Sequence, residues 1–263
     1  MKKILLFSVL VLGVLTANAW AKNAEEAAVI VATQNINPKA QKLVKKYLGK
    51  TFEDDIRYLY TKGGKQAVPH TNEIHYLHLD KDFQPKSVGE NDAYAAIEKA
   101  MEVVRNYKSH SKSEVTIALR TVICLMVDIH HLANIRIDNI PHSQYNFTYK
   151  YYVADFGKKK DKLEAVKWSD FGKSYGGYPR GFSGEWRAYD ITLYLGDRFA
   201  EYSKGTLRDW VADNGALAAH YLSIYTPEKP VSYLNVKLVE DVHYDLIVKA
   251  SCRLAALLNE TLK

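Results

Sequence analysis

Only two cysteines, Cys124 and Cys252, occur in 263 residues, so no disulfide framework holds this chain together. Both fall within apolar helical patterns, where a pair bonded in an oxidising compartment and two buried thiols are equally open readings. After residue 15 there is no second long apolar run, which excludes a multi-span membrane protein. Also missing are a glycine-rich phosphate loop, a G-x-S-x-G nucleophile turn and an H-E-x-x-H zinc helix. Internal repeats and linkers are absent, and one domain over residues 20–263 is expected.

What is present begins with an export signal. Lys2-Lys3, the apolar run Ile4 to Leu15 and the small-residue site Ala17-Asn18-Ala19 make residues 1–19 a signal peptide of bacterial type. The run is shorter than the roughly 20 residues of a membrane span. No cysteine follows to carry a lipid, so a periplasmic or secreted protein without a stable membrane anchor is expected. Cleavage after Ala19 makes Trp20 the amino terminus, whose free amine and carbonyl can chelate a cation. The formal charge of +6 falls once Lys2 and Lys3 are lost. A mildly basic chain suits a polyanionic partner without specifying one. Nineteen tyrosines and four tryptophans serve mostly in packing, though aromatic faces also stack on bases.

Helical periodicity dominates the chain. Helices are expected over Ala24 to Thr33, over Lys39 to Leu48 behind the Asn37-Pro38 start signal, over Phe52 to Tyr60 and over Asp92 to Tyr107. Ser113 to Leu132 follows a capping box in which Ser111 or Ser113 precedes Glu114. Thr206 to Tyr225 and Val236 to Leu262 complete the set, the last with Val239, Val242, Leu246, Ala250, Leu254, Leu257 and Leu258 on one stripe. Strand alternation occurs over Gln144 to Ala154, where Tyr145, Phe147, Tyr149 and Tyr151 alternate with polar residues, and predicts a surface hairpin. The glycine-rich stretch Lys173 to Gly184 reads as a loop. The fold class expected is mostly α, a single helical domain with a small β excursion.

Chemistry concentrates at a few positions. Cys124 and Asp128 lie four apart on a helix and share a face, and both side-chain types ligate zinc. A core cysteine beside an acid is the plainer reading. Asp128 argues against it, because a carboxylate amid Ile123, Leu125, Met126 and Val127 is costly unless paired or metal-bound. Glu73, His75 and His78 flank the apolar stretch Ile74 to Leu79; if that stretch is extended, His75 and Tyr76 face opposite ways. His130-His131 and Asp54-Asp55 alone suggest a hydrogen-bonded pair and a solvated helical turn.

Taken together, these segments resemble the S1/P1 nucleases, secreted zinc enzymes that cleave single-stranded nucleic acid and share a helical fold with phospholipases C. Trp20-Ala21-Lys22-Asn23-Ala24-Glu25 stands where that family begins W-G-x-x-G-H, and Phe52 to Arg57 is similar to W-A-D-x-x-R. Ile74-His75-Tyr76 matches the W/L-H-Y/F segment, Cys124 to Asn134 aligns with H-F-x-G-D-I-H-Q-P-L-H, and Trp186 to Asp190 falls loosely on N-L-H-x-x-W-D. Arg253 to Asn259 is close to the terminal R-L-A-x-x-L-N. The resemblance implies a phospholipase C/P1 nuclease-like fold and a zinc cluster. One ion would be held by Asp54, His75, Asp128 and Cys124, with cysteine replacing a histidine. A second would use Trp20, Asp128 and Glu25, with glutamate replacing a histidine. The third keeps only Asp190, because Asn134 and Trp186 stand at its histidine positions. Fewer than three zinc ions, or none, are therefore expected. Asp54 carries the implied catalytic role, as ligand and in water activation.

Two functions follow. One is zinc-dependent phosphodiester hydrolysis of single-stranded DNA or RNA by a monomer on a reduced metal cluster. The other is a catalytically inactive exported binding protein that keeps the nuclease fold and cleft.

Overall fold

Asn37 caps its helix as the sequence suggests: the side chain accepts from the Ala40 amide at 2.9 Å, and Pro38 takes the first helical position. The computed structural model describes residues 20, 22–49, 72–86, 92–145, 148–153, 162–168, 184–225 and 233–262. The signal-peptide reading, the Phe52 to Tyr60 helix and Asp54 lie outside them, as does all of the expected glycine-rich loop except Gly184. In chain order the described elements are α1 (Lys22–Gln34), α2 (Pro38–Leu48), a 3-10 turn (Asn72–His75), β1 (Leu77–Leu79), α3 (Ala93–Arg105) and α4 (Lys112–Asp128). A second 3-10 turn (Tyr107–Ser109) lies between α3 and α4, and a third (Leu132–Asn134), β2 (Ile135–Ile137), α5 (His142–Tyr145), β3 (Thr148–Val153) and β4 (Lys162–Lys167) follow α4. The chain ends in α6 (Gly184–Leu195), α7 (Phe199–Tyr202), α8 (Leu207–Ile224) and α9 (Tyr233–Thr261). The architecture is mostly α.

Local chemistry sets the helix starts. Ser111, rather than Ser113, caps α4: its Oγ accepts from the Glu114 amide at 3.2 Å, and Glu114 accepts from the Ser111 amide at 2.8 Å. The same reciprocal box joins Thr206 and Asp209 at the start of α8. Asp92 caps α3 by accepting from the amides of Tyr94 and Ala95.

The core centres on α4. Every residue from Thr121 to Asp128 is buried, the signature of a helix covered on all sides. It packs against α3, α9, α2 and α1, while α1 also lies along α6 and α9. From Leu246 onward the expected stripe of α9 is buried, and each such leucine contributes about 2 kcal/mol of apolar burial. Cys124 and Cys252 are both buried thiols, not a disulfide. Burial pushes the Cys252 thiol up to about 12.

Two small sheets complete the fold. β3 and β4 pair antiparallel from Thr148↔Lys167 to Val153↔Lys162, which is the hairpin expected from the tyrosine alternation. It begins later than Gln144, because His142–Tyr145 is helical. β1 and β2 form a parallel pair, Leu77↔Ile135, His78↔Arg136 and Leu79↔Ile137, with α3 and α4 as the crossover that parallel strands require.

Three further expectations change. The helix expected to Leu132 stops at Asp128, where His130 and His131 switch to the carbonyls of Val127 and Asp128, three residues back, and tighten the chain into a turn. Gly184 opens α6 instead of closing a loop. The β content also includes the β1–β2 pair beside the hairpin.

Candidate metal centre and adjoining cavity

The early end of α4 builds the candidate site. Asp128 is its last residue and is buried at 4% exposure. Because α4 stops there, the following turn leaves the carboxylate facing the start of β1. There the 3-10 turn ends in His75, whose Nδ1 lies 2.7 Å from Asp128 Oδ2. One helical turn back, the Cys124 thiol donates to the same oxygen at 3.7 Å. One donor atom from each of His75, Cys124 and Asp128 lies within 4.8 Å of the other two.

This set answers the electrostatic problem of Asp128, since the His75 imidazole and the Cys124 thiol supply polar partners that offset the lost hydration of a buried carboxyl group. It also suits an ion. Imidazole, thiolate and carboxylate are all zinc ligands, and three protein ligands leave a fourth position open. The 2.7 Å contact is a hydrogen-bond distance, shorter than the roughly 3.3 Å between two donors sharing one tetrahedral zinc. Zinc would therefore replace that bond and separate the pair by less than an ångström. Thiolate and imidazole favour zinc over magnesium or calcium, which prefer oxygen.

Trp20 is anchored beside this group. Its indole Nε1 donates to the Val127 carbonyl at 3.1 Å, adjacent in sequence to Asp128, and the ring is 4% exposed. His131 and His243 meet it edge-on, with ring centroids 4.8 and 5.7 Å away. Glu25 is buried on α1 and Asp190 is half-buried on α6, but neither belongs to the three-donor group. Asn134 supports the backbone, where its side-chain amide donates to the Asp128 carbonyl at 3.4 Å. The side chain of Trp186 lies outside the described residues. His130 donates from Nδ1 to the Met126 carbonyl at 2.7 Å and faces away from the donor group, toward Arg253.

Beyond His75 the chain enters a cavity of about 400 Å³. Tyr76, His78, Arg136 and Tyr145 line it, with Lys86 and Asp138. His78 is fixed by Asp92, which accepts from its backbone amide at 2.9 Å and lies 3.1 Å from its Nδ1. The sequence pattern barely marks this cavity. Its one signal, the alternation Ile135-Arg136-Ile137-Asp138, is too short to stand out.

No family model matches the chain, and no curated protein resembles it at a significant level. Among the described residues, no helix is long and apolar enough to cross a membrane.

Proposed function

We propose that this protein is a zinc-dependent phosphodiesterase acting on single-stranded DNA or RNA, with a metal group smaller than the three ions of the S1/P1 nucleases it resembles. The observation that carries the reading is the convergence of His75, from the 3-10 turn before β1, with Cys124 and Asp128 of α4 into one three-donor group. Bound zinc would supply a Lewis acid for a phosphoryl oxygen and lower the pKa of a water. The chain's own residues do the rest. His75 and Asp128 hold a mutual orientation, Asn134 ties the Asp128 backbone down, and the Trp20 indole secures the segment leading into α1. Asp54, Glu25 and the Trp20 terminus extend the group in this reading, and the protein works as a secreted or periplasmic monomer. The neighbouring cavity, with Arg136 and Lys86, offers positive charge to a polyanion.

One observation favours the second reading, a non-catalytic exported binding protein. Asn134 stands at a position of the resemblance's third zinc and is engaged with the Asp128 carbonyl. That arrangement stabilises the site as a polar core and leaves the position without a strong metal ligand.

Elemental analysis of protein released through its own signal, so that Trp20 is terminal, tests both. One or two zinc ions per chain, with single-strand cleavage abolished by a chelator and restored by zinc, supports the enzyme. A chain with no zinc and no cleavage supports the binding protein.

A further inference from the structure

Pairing of β1 with β2 sorts side chains onto two faces. Leu77, Leu79, Ile135 and Ile137 are buried, whereas His78 and Arg136, opposite each other in register, take the other face. Tyr76 and Asp138 continue that alternation at either end. The short helix α5 brings Tyr145 against the same face, and the half-open cavity of about 400 Å³ falls in the range of small-molecule sites, roughly 300–1,000 Å³.

Arg136 is the fixed cation of this cavity. Its guanidinium carbon lies 4.1 Å from the Tyr76 ring centroid and 4.6 Å from that of Tyr145. Nη1 donates to the carbonyls of Ala133 at 2.7 Å and Ile135 at 3.1 Å. Tyr145 is locked in turn, its hydroxyl accepting from the Ile137 amide at 2.8 Å. A guanidinium held between two rings and two carbonyls has given up its rotamer freedom before a ligand arrives, so binding costs less. Lys86 adds a second cation. It pairs with Asp138 at 2.8 Å on the exposed rim, a type of pair that contributes little to stability and exchanges partners readily.

The geometry points to an oxyanion site in this cavity, built on Arg136 with Lys86 and suited to the phosphate group of a phosphomonoester or of inorganic phosphate. A planar guanidinium with a second cation nearby fits a compact doubly charged oxyanion. A stacked aromatic ring fits less well, because Arg136 already covers one face of both Tyr76 and Tyr145. The site goes beyond the phosphodiesterase reading and needs no ion at His75, Cys124 and Asp128. Tyr76 directly follows His75 in the chain, so the cavity wall and the metal group share one stretch of backbone.

Calorimetric titration of the chelator-treated protein at low salt, with inorganic phosphate, adenosine 5′-monophosphate and adenosine, tests this assignment. Both phosphate probes should bind and adenosine should not. Arg136→Ala should weaken both at least tenfold, and Lys86→Ala several-fold. Tighter binding of the nucleotide identifies a phosphomonoester as the natural source; equal affinities identify free phosphate. Lys86→Ala, an exposed change, carries the test if thermal melting shows that Arg136→Ala fails to fold. The assignment is overturned if neither phosphate probe binds, if adenosine binds as tightly as its monophosphate, or if the folded variants bind like the parent. A chain that binds phosphate but no zinc keeps this site and loses the phosphodiesterase reading; the opposite pattern does the reverse.

Discussion

Arg253 and His130 meet in the core, Nη1 to Nε2 at 3.1 Å, from positions 123 residues apart. The Met126 carbonyl can only accept, so the proton of His130 sits on Nδ1, 2.7 Å from that oxygen. Nε2 is then the acceptor for the guanidinium. Burial, followed by the charge of Arg253, holds His130 well below the usual imidazole range and keeps it neutral. Asp213, largely exposed, takes the other end of the fork at 3.2 Å.

That bond predicts an asymmetry between two variants. His130→Ala leaves a buried guanidinium nitrogen without its acceptor and should cost about 3 kcal/mol. Arg253→Met fills much of the same volume and leaves only a neutral acceptor unpaired, so about 2 kcal/mol is expected. Urea denaturation of both variants checks the order; a larger loss for Arg253→Met would contradict the assigned proton position.

At the metal group, Cys124→Ala should reduce zinc affinity more than about 100-fold, since a ligand matters more than its supporting shell. Cys124→His should retain most of it, because imidazole is an equally competent ligand. Competition with a chromogenic chelator reads both. Equal zinc affinity in Cys124→Ala and the parent would remove sulfur from the site.

Cys252 predicts an alkaline instability. Its folded-state pKa is raised from 9.0 to about 12 by burial, so the folded chain keeps the proton that the unfolded chain releases. The stabilisation is complete below pH 9 and is lost as pH rises toward 12, by up to tenfold in the folding constant per pH unit. Melting curves across that window should flatten in Cys252→Ala relative to the parent.

Gly215 lies where α8 meets β1. A Cβ there would overlap the buried Leu79 side chain and come within 3.3 Å of Phe83. Alanine gains roughly 1 kcal/mol of helix propensity, but overpacking typically costs about 1–3 kcal/mol. Gly215→Ala should therefore be net destabilising, by about 1 kcal/mol in chemical denaturation. A more stable variant would mean that Leu79 has room to turn away.

Long elements were legible because their signals repeat. The stripe of α9 and the tyrosine alternation of β3 each state one periodicity several times, and the Asn37-Pro38 start and the Ser111–Glu114 box mark helix starts by local side-chain chemistry. β1 and β2 have three residues apiece and exist because the fold brings them together. α6 was hidden because Tyr189, Leu193 and Tyr194 are exposed, which blurs any apolar stripe. Asp128 and Cys124 could be read as one face from their spacing of four. His75 could be added only through resemblance, since its contact spans 53 residues. Arg136 went unread because what singles it out is the pair of tyrosine rings around it, and Tyr76 comes from another segment.

The crossover between β1 and β2 also carries a consequence for the order of folding. The helices α3 and α4 rest on local contacts that form quickly, whereas joining His75 to Asp128 closes a long loop, and non-local closures come late. Zinc capture by a refolding chain would thus keep time with the completion of the native topology, and the ion would find its site only after the protein has finished assembling.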